Sequence, residues 1–289
     1  MTSLFPLPSP NFPDFKTLLI KGPYHPSAVF HLCLTHVVDR PGTKGIVLSP
    51  SRQKLLTALQ EFNDDWLNEC GGYGAVSQVL SKIDIFYPPS PLHLALLLSA
   101  FKVSETSDDP SLPSKITLSA SPSLLVLHEL SAYFLDGNSS TTHTLSSYLS
   151  LIAHASALSA SLSAHTPESP VALVLMDSRL DELKLPVLKR PVFSADADDG
   201  EEHESVNRSH RKESVSALAQ RYFEWVGTFE PATPTTVDSP PQSPQPSFTH
   251  RFRLCTPYTT DDEIVWQWNE REGELRGFSD RHGTLFTWA

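Results

Sequence analysis

Cysteine is scarce in this chain: only Cys33, Cys70 and Cys255 occur, and no C-x-x-C pair is present. This usage excludes a disulfide framework and a zinc knuckle as the basis of the fold. Long apolar runs are also lacking, since none approaches the roughly 18 residues that a membrane-spanning helix needs. The Pro-rich residues 1–13 have no basic region followed by an apolar core, so they do not resemble a secretory signal. We therefore expect a soluble, intracellular protein without membrane contact.

Basic side chains are in the minority. The chain has 22 Lys and Arg against 33 Asp and Glu, which gives a formal net charge of -11. This balance argues against tight, nonspecific nucleic-acid binding by the chain alone. A hydrophobic content of 39% with 15 Phe and 5 Trp is enough for a buried core, whereas 25 Pro predict long irregular segments. The length fits one large domain with appendages.

Short apolar runs alternate with helical patterns over the first two-thirds of the chain, which is typical of βαβ units around a mainly parallel sheet. We predict parallel strands at 17–20, 45–48, 83–86, 123–127 and 170–176. We predict helices at 28–38, from Ser49-Pro50 through Trp66, at 91–101, 141–164 and 214–226, and antiparallel strands at 249–255, 263–268, 274–278 and 284–288. The domain prediction is a flexible N-terminus at 1–14 and a single domain over 15–289, with flexible insertions at about 194–212 and 231–247.

The segment from Lys21 to Val29 occupies the place of a phosphate-binding loop, between a predicted strand and a predicted helix. A working loop reads G-x-x-x-x-G-K-[ST], in which glycines expose backbone N–H groups, a Lys reaches the phosphates and a hydroxyl holds Mg²⁺. Counting from Gly22, the second Gly is replaced by Ser27, the Lys by Ala28 and the hydroxyl residue by Val29. The strand-loop-helix frame is kept and its reactive groups are missing.

The second ATPase motif, an apolar strand ending in Asp, is altered as well. The strand at 124–127 ends in His128-Glu129, so only Glu129 offers a carboxylate. We therefore expect no ATP hydrolysis and no cofactor. Two alternatives stay open: weak ATP binding through backbone N–H groups between Gly22 and Ser27, and a residual hydrolase that uses Lys21 and Glu129.

Other kinds of site have weaker patterns. His31 and His36 are five residues apart, which is the wrong spacing for a metal site on one helix face, so we predict no metal. There is no G-x-S-x-G elbow of a serine hydrolase. Basic residues that could contact the phosphates of DNA form two groups, of which the second alternates along a predicted strand. The groups are Arg208, Arg211 and Lys212, and Arg251 and Arg253.

The order of several short motifs resembles a known family. After the degenerate loop come Tyr87-Pro88-Pro89-Ser90 with a Leu-rich helix, Pro122 to Leu127 running on to Tyr133-Phe134-Leu135, and Gln220-Arg221-Tyr222-Phe223. Together these segments, over about residues 17–230, resemble the small recombinase paralogues of Shu-type complexes, which partner SWIM-domain recombination mediators.

The resemblance implies a RecA-like fold and a role as a scaffold in homologous recombination DNA repair. It also implies a SWIM-domain partner, a RecA-family recombinase, some affinity for single-stranded DNA, and a nuclear location. The chain departs from the family pattern at Ser27, Ala28, Val29 and His128, so the resemblance does not carry ATPase activity over. The alternative is a RecA-like accessory subunit of Elongator, which supports tRNA wobble-uridine modification and would place the chain in the cytoplasm.

Overall fold

The computed structural model describes residues 2–6, 8–40, 43–103, 117–118, 120–135, 143–165, 170–187, 212–230, 249–257, 263–274 and 282–288. The strands within these ranges are β1 (Thr17–Lys21), β2 (Gly45–Leu48), β3 (Ile83–Phe86), β4 (Lys102–Val103), β5 (Thr117–Leu118), β6 (Leu124–His128), β7 (Ala172–Asp177), β8 (Lys184–Pro186), β9 (Lys212–Ser214), β10 (Trp225–Glu230), β11 (Thr249–Cys255), β12 (Ile264–Glu274) and β13 (His282–Trp288). The α-helices are α1 (Ala28–Val38), α2 (Arg52–Glu61), α3 (Asp65–Cys70), α4 (Gly74–Leu80), α5 (Pro91–Ala100), α6 (Ala132–Leu135), α7 (Leu145–His165) and α8 (Val215–Ala219).

Nine strands form one large sheet in the order β13-β12-β11-β10-β1-β7-β6-β2-β3. The six strands from β10 to β3 are parallel to their neighbours, and β11, β12 and β13 continue the sheet as an antiparallel meander. The predicted α/β class is therefore confirmed, with a large and mostly parallel sheet, flanking helices and C-terminal antiparallel strands. Strands β4 with β5 and β8 with β9 form two small sheets of their own.

The inner parallel strands β6 and β7 are apolar up to their last residues, because helices cover both faces of the sheet. Every residue of β6 and β7 is buried. On one face, Leu19, Leu125 and Leu173 pack with α5, α7 and α8. On the other face, Leu18, Val126 and Val174 pack with α1. This alternation leaves only the ends of these strands available for polar chemistry.

The predicted helix at 214–226 is wrong. Only α8, Val215–Ala219, is helical, and after one 3₁₀ turn the chain extends into β10, which pairs with β1 in parallel. The β10 sequence is rich in aromatic and β-branched residues, which suit a strand. The sheet thus has one more parallel strand than the sequence analysis predicts, next to the strand that carries the loop.

Two further boundaries differ from the predictions. Ser51, and not Ser49, caps α2, and its side chain accepts a hydrogen bond from the Lys54 N–H. Asp64 starts a separate helix, so Trp66 does not share a helix face with Leu55. Of the expected strand at 274–278, only Glu274 falls within the described residues, where it is the last residue of β12.

The N-terminal residues, expected to be flexible, contribute Leu4, Phe5 and Phe12 to the core. Phe5 lies 4.8 Å from Trp268 and 4.7 Å from Trp288 between ring centroids, so it packs on the C-terminal meander. Of the two predicted insertions, only Lys212 falls within the described residues. Within the described ranges, no helix combines the length and the apolar character needed to cross a membrane.

Candidate functional site

A cavity of about 570 Å³ opens at the carboxyl ends of the parallel strands. It lies between the segments that follow β1, β2, β6 and β7, with His250 and Glu270 contributed by the meander. The chain leaves β1 toward the face covered by α1, whereas it leaves β6 and β7 toward the face covered by α7 and α8. Such a switch of direction opens a crevice in open α/β sheets, and ligands bind there.

Gly22 is the first residue of the loop after β1 and has a positive φ of 89°. A Cβ atom added to it would lie 2.3 Å from the carbonyl oxygen of Phe229 in β10. Glycine is therefore required at this position for close packing of the loop on the neighbouring strand. Lys21, the preceding residue, places Nζ 2.9 Å from Asp181 Oδ1, so its charge is paired with a carboxylate.

Three backbone donors of this loop are engaged within the protein. The N–H groups of Tyr24, Ser27 and Ala28 donate to the Gly22 oxygen, to His25 Nδ1 and to the His25 oxygen, at 2.8, 3.3 and 2.9 Å. Pro23 and Pro26 have no N–H group. A phosphate-binding loop instead points its N–H groups at the ligand. These three donors are thus used in the fold of the loop itself.

Ser27, in the place of the second glycine, is buried and joins the loop to the start of α3. Its hydroxyl donates to Asp64 Oδ2, and His31 Nε2 lies 2.8 Å from the same oxygen. Asp64 also caps α3 by accepting from the Leu67 N–H. Burial raises the pKa of the Asp64 carboxyl. The hydrogen bond and the charge of His31, together with the hydrogen bond from Ser27, outweigh burial and bring this pKa below its usual value. Asp64 is therefore an ionised anchor of the loop.

Ala28 and Val29, which replace the Lys and the hydroxyl residue, are each 1% exposed. Both belong to the apolar cluster between α1 and the sheet. They provide no polar group, and their side chains contribute to the core and not to the cavity.

His128 ends β6, Glu129 follows it, and both line the cavity. His128 is buried with Nδ1 3.1 Å from Ser49 Oγ, and burial lowers the pKa of its ring. Glu129 has a φ of 54°, a left-handed conformation that is uncommon outside glycine. Its carboxylate accepts hydrogen bonds from the Tyr24 hydroxyl and from both the N–H and the hydroxyl of Ser178. Glu129 thus connects the loops that follow β1 and β7.

Asp177, at the end of β7, is not among the predicted site residues, although the sequence places it directly after an apolar run. It is fully buried and accepts from the Ser131 N–H and hydroxyl at 2.7 and 2.6 Å, and from the Tyr148 hydroxyl at 3.2 Å. Burial, followed by the charge of Glu129, raises the pKa of Asp177 to about 7. The signal in the sequence is an apolar strand that ends in Asp. This is the pattern of the second ATPase motif, which the sequence analysis assigns to the strand at 124–127 instead.

The suggested DNA-contact residues are separated in the fold. Arg251 and Arg253 share one face of β11, and both lie within ion-pair distance of Glu230, at 3.5 and 3.3 Å, and of Glu263, at 3.9 Å each. Lys212 is exposed at the start of β9, in a different sheet. Arg208 and Arg211 lie outside the described residues. The two arginines on β11 therefore form a surface whose positive charge is largely offset.

The cavity combines apolar walls, including Leu55 and Phe62, with the buried imidazole of His128 and with Lys54 and Arg179. It has the size and the mixed lining of a small-molecule site. In the described part of the chain, no group of three or more His, Cys, Asp or Glu side chains could hold a metal ion. The sequence matches no protein-family model, and no curated protein matches it either.

Proposed function

We propose that the chain is a non-catalytic RecA-like scaffold subunit that assists homologous recombination DNA repair, together with a SWIM-domain partner and a RecA-family recombinase. The motif order described above supports the choice of pathway. The arrangement of the sheet is compatible with a RecA-like fold, because the loop after β1 and the end of β6 lie at the carboxyl ends of the parallel strands, on either side of β7. Action in the nucleus follows from this pathway.

The non-catalytic half of the proposal rests on one observation: Lys21, Ser27 and three backbone N–H groups of the phosphate-loop segment are already bonded within the protein. Lys21 pairs with Asp181, Ser27 donates to Asp64, and the Tyr24, Ser27 and Ala28 N–H groups have internal acceptors. To bind a triphosphate, the loop would have to break these contacts. Each such hydrogen bond contributes on the order of 1 kcal/mol, and more where a charge takes part.

Titration with ATP and Mg²⁺ in a calorimeter tests this half directly. We expect no saturable heat and no phosphate release at millimolar ATP. The matched variant is Lys21→Ala, which should behave as the parent chain does. ATP turnover by the parent that is lost in Lys21→Ala would contradict the proposal and would support the residual-hydrolase alternative, in which Lys21 and Glu129 act together.

Affinity purification of the tagged chain from its native cells, with mass spectrometry of the co-purifying proteins, tests the pathway. We expect a SWIM-domain protein and a recombinase, and we expect the purified complex to bind single-stranded DNA. Recovery of RecA-like Elongator subunits in their place would contradict the recombination role and assign the chain to tRNA modification.

A further inference from the structure

Strand β13 is an edge of the nine-stranded sheet in the part of the chain that the structure describes. It pairs with β12 on one side. On its other side, the Thr284 N–H donates to the Asn63 oxygen at 2.8 Å, in an isolated parallel bridge with Asp64. This bridge does not continue as a ladder, because α3 begins at Asp65, and α3 then lines a groove together with β13.

The outer side of β13 offers unpaired backbone groups beyond this bridge. Backbone N–H and C=O groups of an antiparallel strand point alternately toward and away from the partner strand. The backbone N–H of Thr284 points away from β12, toward Asn63, so the backbone N–H and C=O groups of Phe286, two residues later, point away from β12 as well. Among the described residues, Phe286 forms no backbone hydrogen bond on this outer side. Residues 284–288 also contain no charge and no proline, the usual devices that block an exposed edge.

A groove of about 190 Å³ runs beside this edge. Its lining includes the aromatic side chains of Trp66, Phe286 and Trp288 and the carboxylates of Asp65 and Glu69, and none of its described lining residues is Lys or Arg. Aromatic faces attract guanidinium and ammonium groups, and the carboxylates add charge of the complementary sign. The groove therefore has the chemistry of a pocket for a basic side chain next to an open strand edge.

We propose that β13 and this groove bind an extended, basic segment of a partner protein, which adds a strand beside Phe286 and places an Arg or Lys side chain between the aromatic rings and Glu69. Main-chain hydrogen bonds give such strand addition its affinity, and side-chain pockets give it selectivity. The net charge of -11 adds long-range attraction for a basic partner. This inference uses only the described meander and α3, and it does not depend on the proposed role in recombination.

The test uses fluorescence anisotropy with a labelled, end-capped peptide of alternating Val and Arg, seven residues long, and the full chain. We expect saturable binding. The same peptide with Glu in place of Arg should not bind. A version N-methylated at alternate amides keeps the charge but cannot form the strand ladder, and we expect its affinity to be at least tenfold lower. Equal binding of the methylated peptide would overturn the proposal, as would an absence of binding by the parent peptide.

A pair of charge-reversal variants locates the site. Glu69→Lys changes the groove, whereas Glu61→Lys makes the same change in net charge on an exposed position of α2 that does not line it. We expect about a tenfold rise in Kd for Glu69→Lys and less than a twofold rise for Glu61→Lys. Similar effects of the two variants would indicate nonspecific attraction and would refute a site at β13. Hydrogen exchange should show peptide-dependent protection of the Phe286 amide, and unchanged exchange there would count equally against it.

Discussion

Replacement of Gly22 by Ala tests whether this glycine is needed for the packing of the loop on β10. Gly22 has a φ of 89°, and an added Cβ would lie 2.3 Å from the Phe229 oxygen, which belongs to the backbone of β10. A left-handed conformation costs a residue with a side chain about 1–2 kcal/mol. Forcing an extra methyl group into a packed site costs about 1–3 kcal/mol more. We therefore expect Gly22→Ala to lower the free energy of unfolding by about 2–5 kcal/mol.

The assay is urea unfolding followed by tryptophan fluorescence, with Gly72→Ala as the matched control. A Cβ at Gly72 would meet nothing within 4 Å, so this variant should unfold at the same urea concentration as the parent chain, or slightly above it. A Gly22→Ala variant as stable as Gly72→Ala would refute the packing role. It would indicate that the loop can move off β10, as a loop that still accepts a ligand could.

Ser27→Ala removes a donor from the buried Asp64 carboxylate and should lower the free energy of unfolding by about 1–3 kcal/mol, whereas the exposed control Ser77→Ala should change it little in the same urea titration. His36 is buried as a neutral ring, and burial, with the Arg40 charge, lowers its pKa from 6.5 to about 4. As the pH falls from about 6.5 to 4, this ring takes up a proton in the unfolded chain before it does so in the folded chain, so the free energy of unfolding falls by up to about 3 kcal/mol. When unfolding is measured at pH 7.5 and 4.5, we expect His36→Gln to lose less stability between the two than the parent chain does. An identical loss would contradict this assignment. Glu230 offsets Arg251 and Arg253, so Glu230→Gln should strengthen single-stranded DNA binding in a gel-shift titration, whereas the double replacement of both arginines by Ala should weaken it and reduce its salt dependence. DNA affinity unchanged in both variants would exclude this face as the contact surface.

The parallel strands were predictable from the sequence because inner strands of an α/β sheet are apolar on both faces. Strands β1, β2, β3, β6 and β7 all lie within two residues of the predicted ranges. Such runs are a local signal that does not depend on the rest of the fold. The strand that was missed, β10, follows α8 so closely that its Trp225 and Val226 continue the apolar spacing of the helix. Its pairing with β1 on one side and β11 on the other favours the strand, and the contact with β1 joins residues about two hundred positions apart.

The sequence indicates which loops meet at the carboxyl ends of the strands, but not how their residues are bonded. Pro23, which follows Gly22, and Glu129 both line one cavity, whereas Gly22 itself does not. The partners of the loop residues come from elsewhere: Asp64 for Ser27, and Asp181 for Lys21. No local pattern links these positions, because a hydrogen bond between distant segments depends on the tertiary arrangement of both.

The two carboxylates at the ends of β6 and β7 indicate how this edge of the sheet is used. Glu129 accepts three hydrogen bonds, and Asp177 accepts from Ser131, Tyr148 and Arg179. Hydrogen bonds to a charged group contribute about 1.5–3 kcal/mol each, so exchanging the partners of the Glu129 carboxylate for a metal ion or a water nucleophile would cost several such bonds. The two side chains connect the loops after β1, β6 and β7 through these hydrogen bonds. This arrangement is compatible with the scaffold role that we propose.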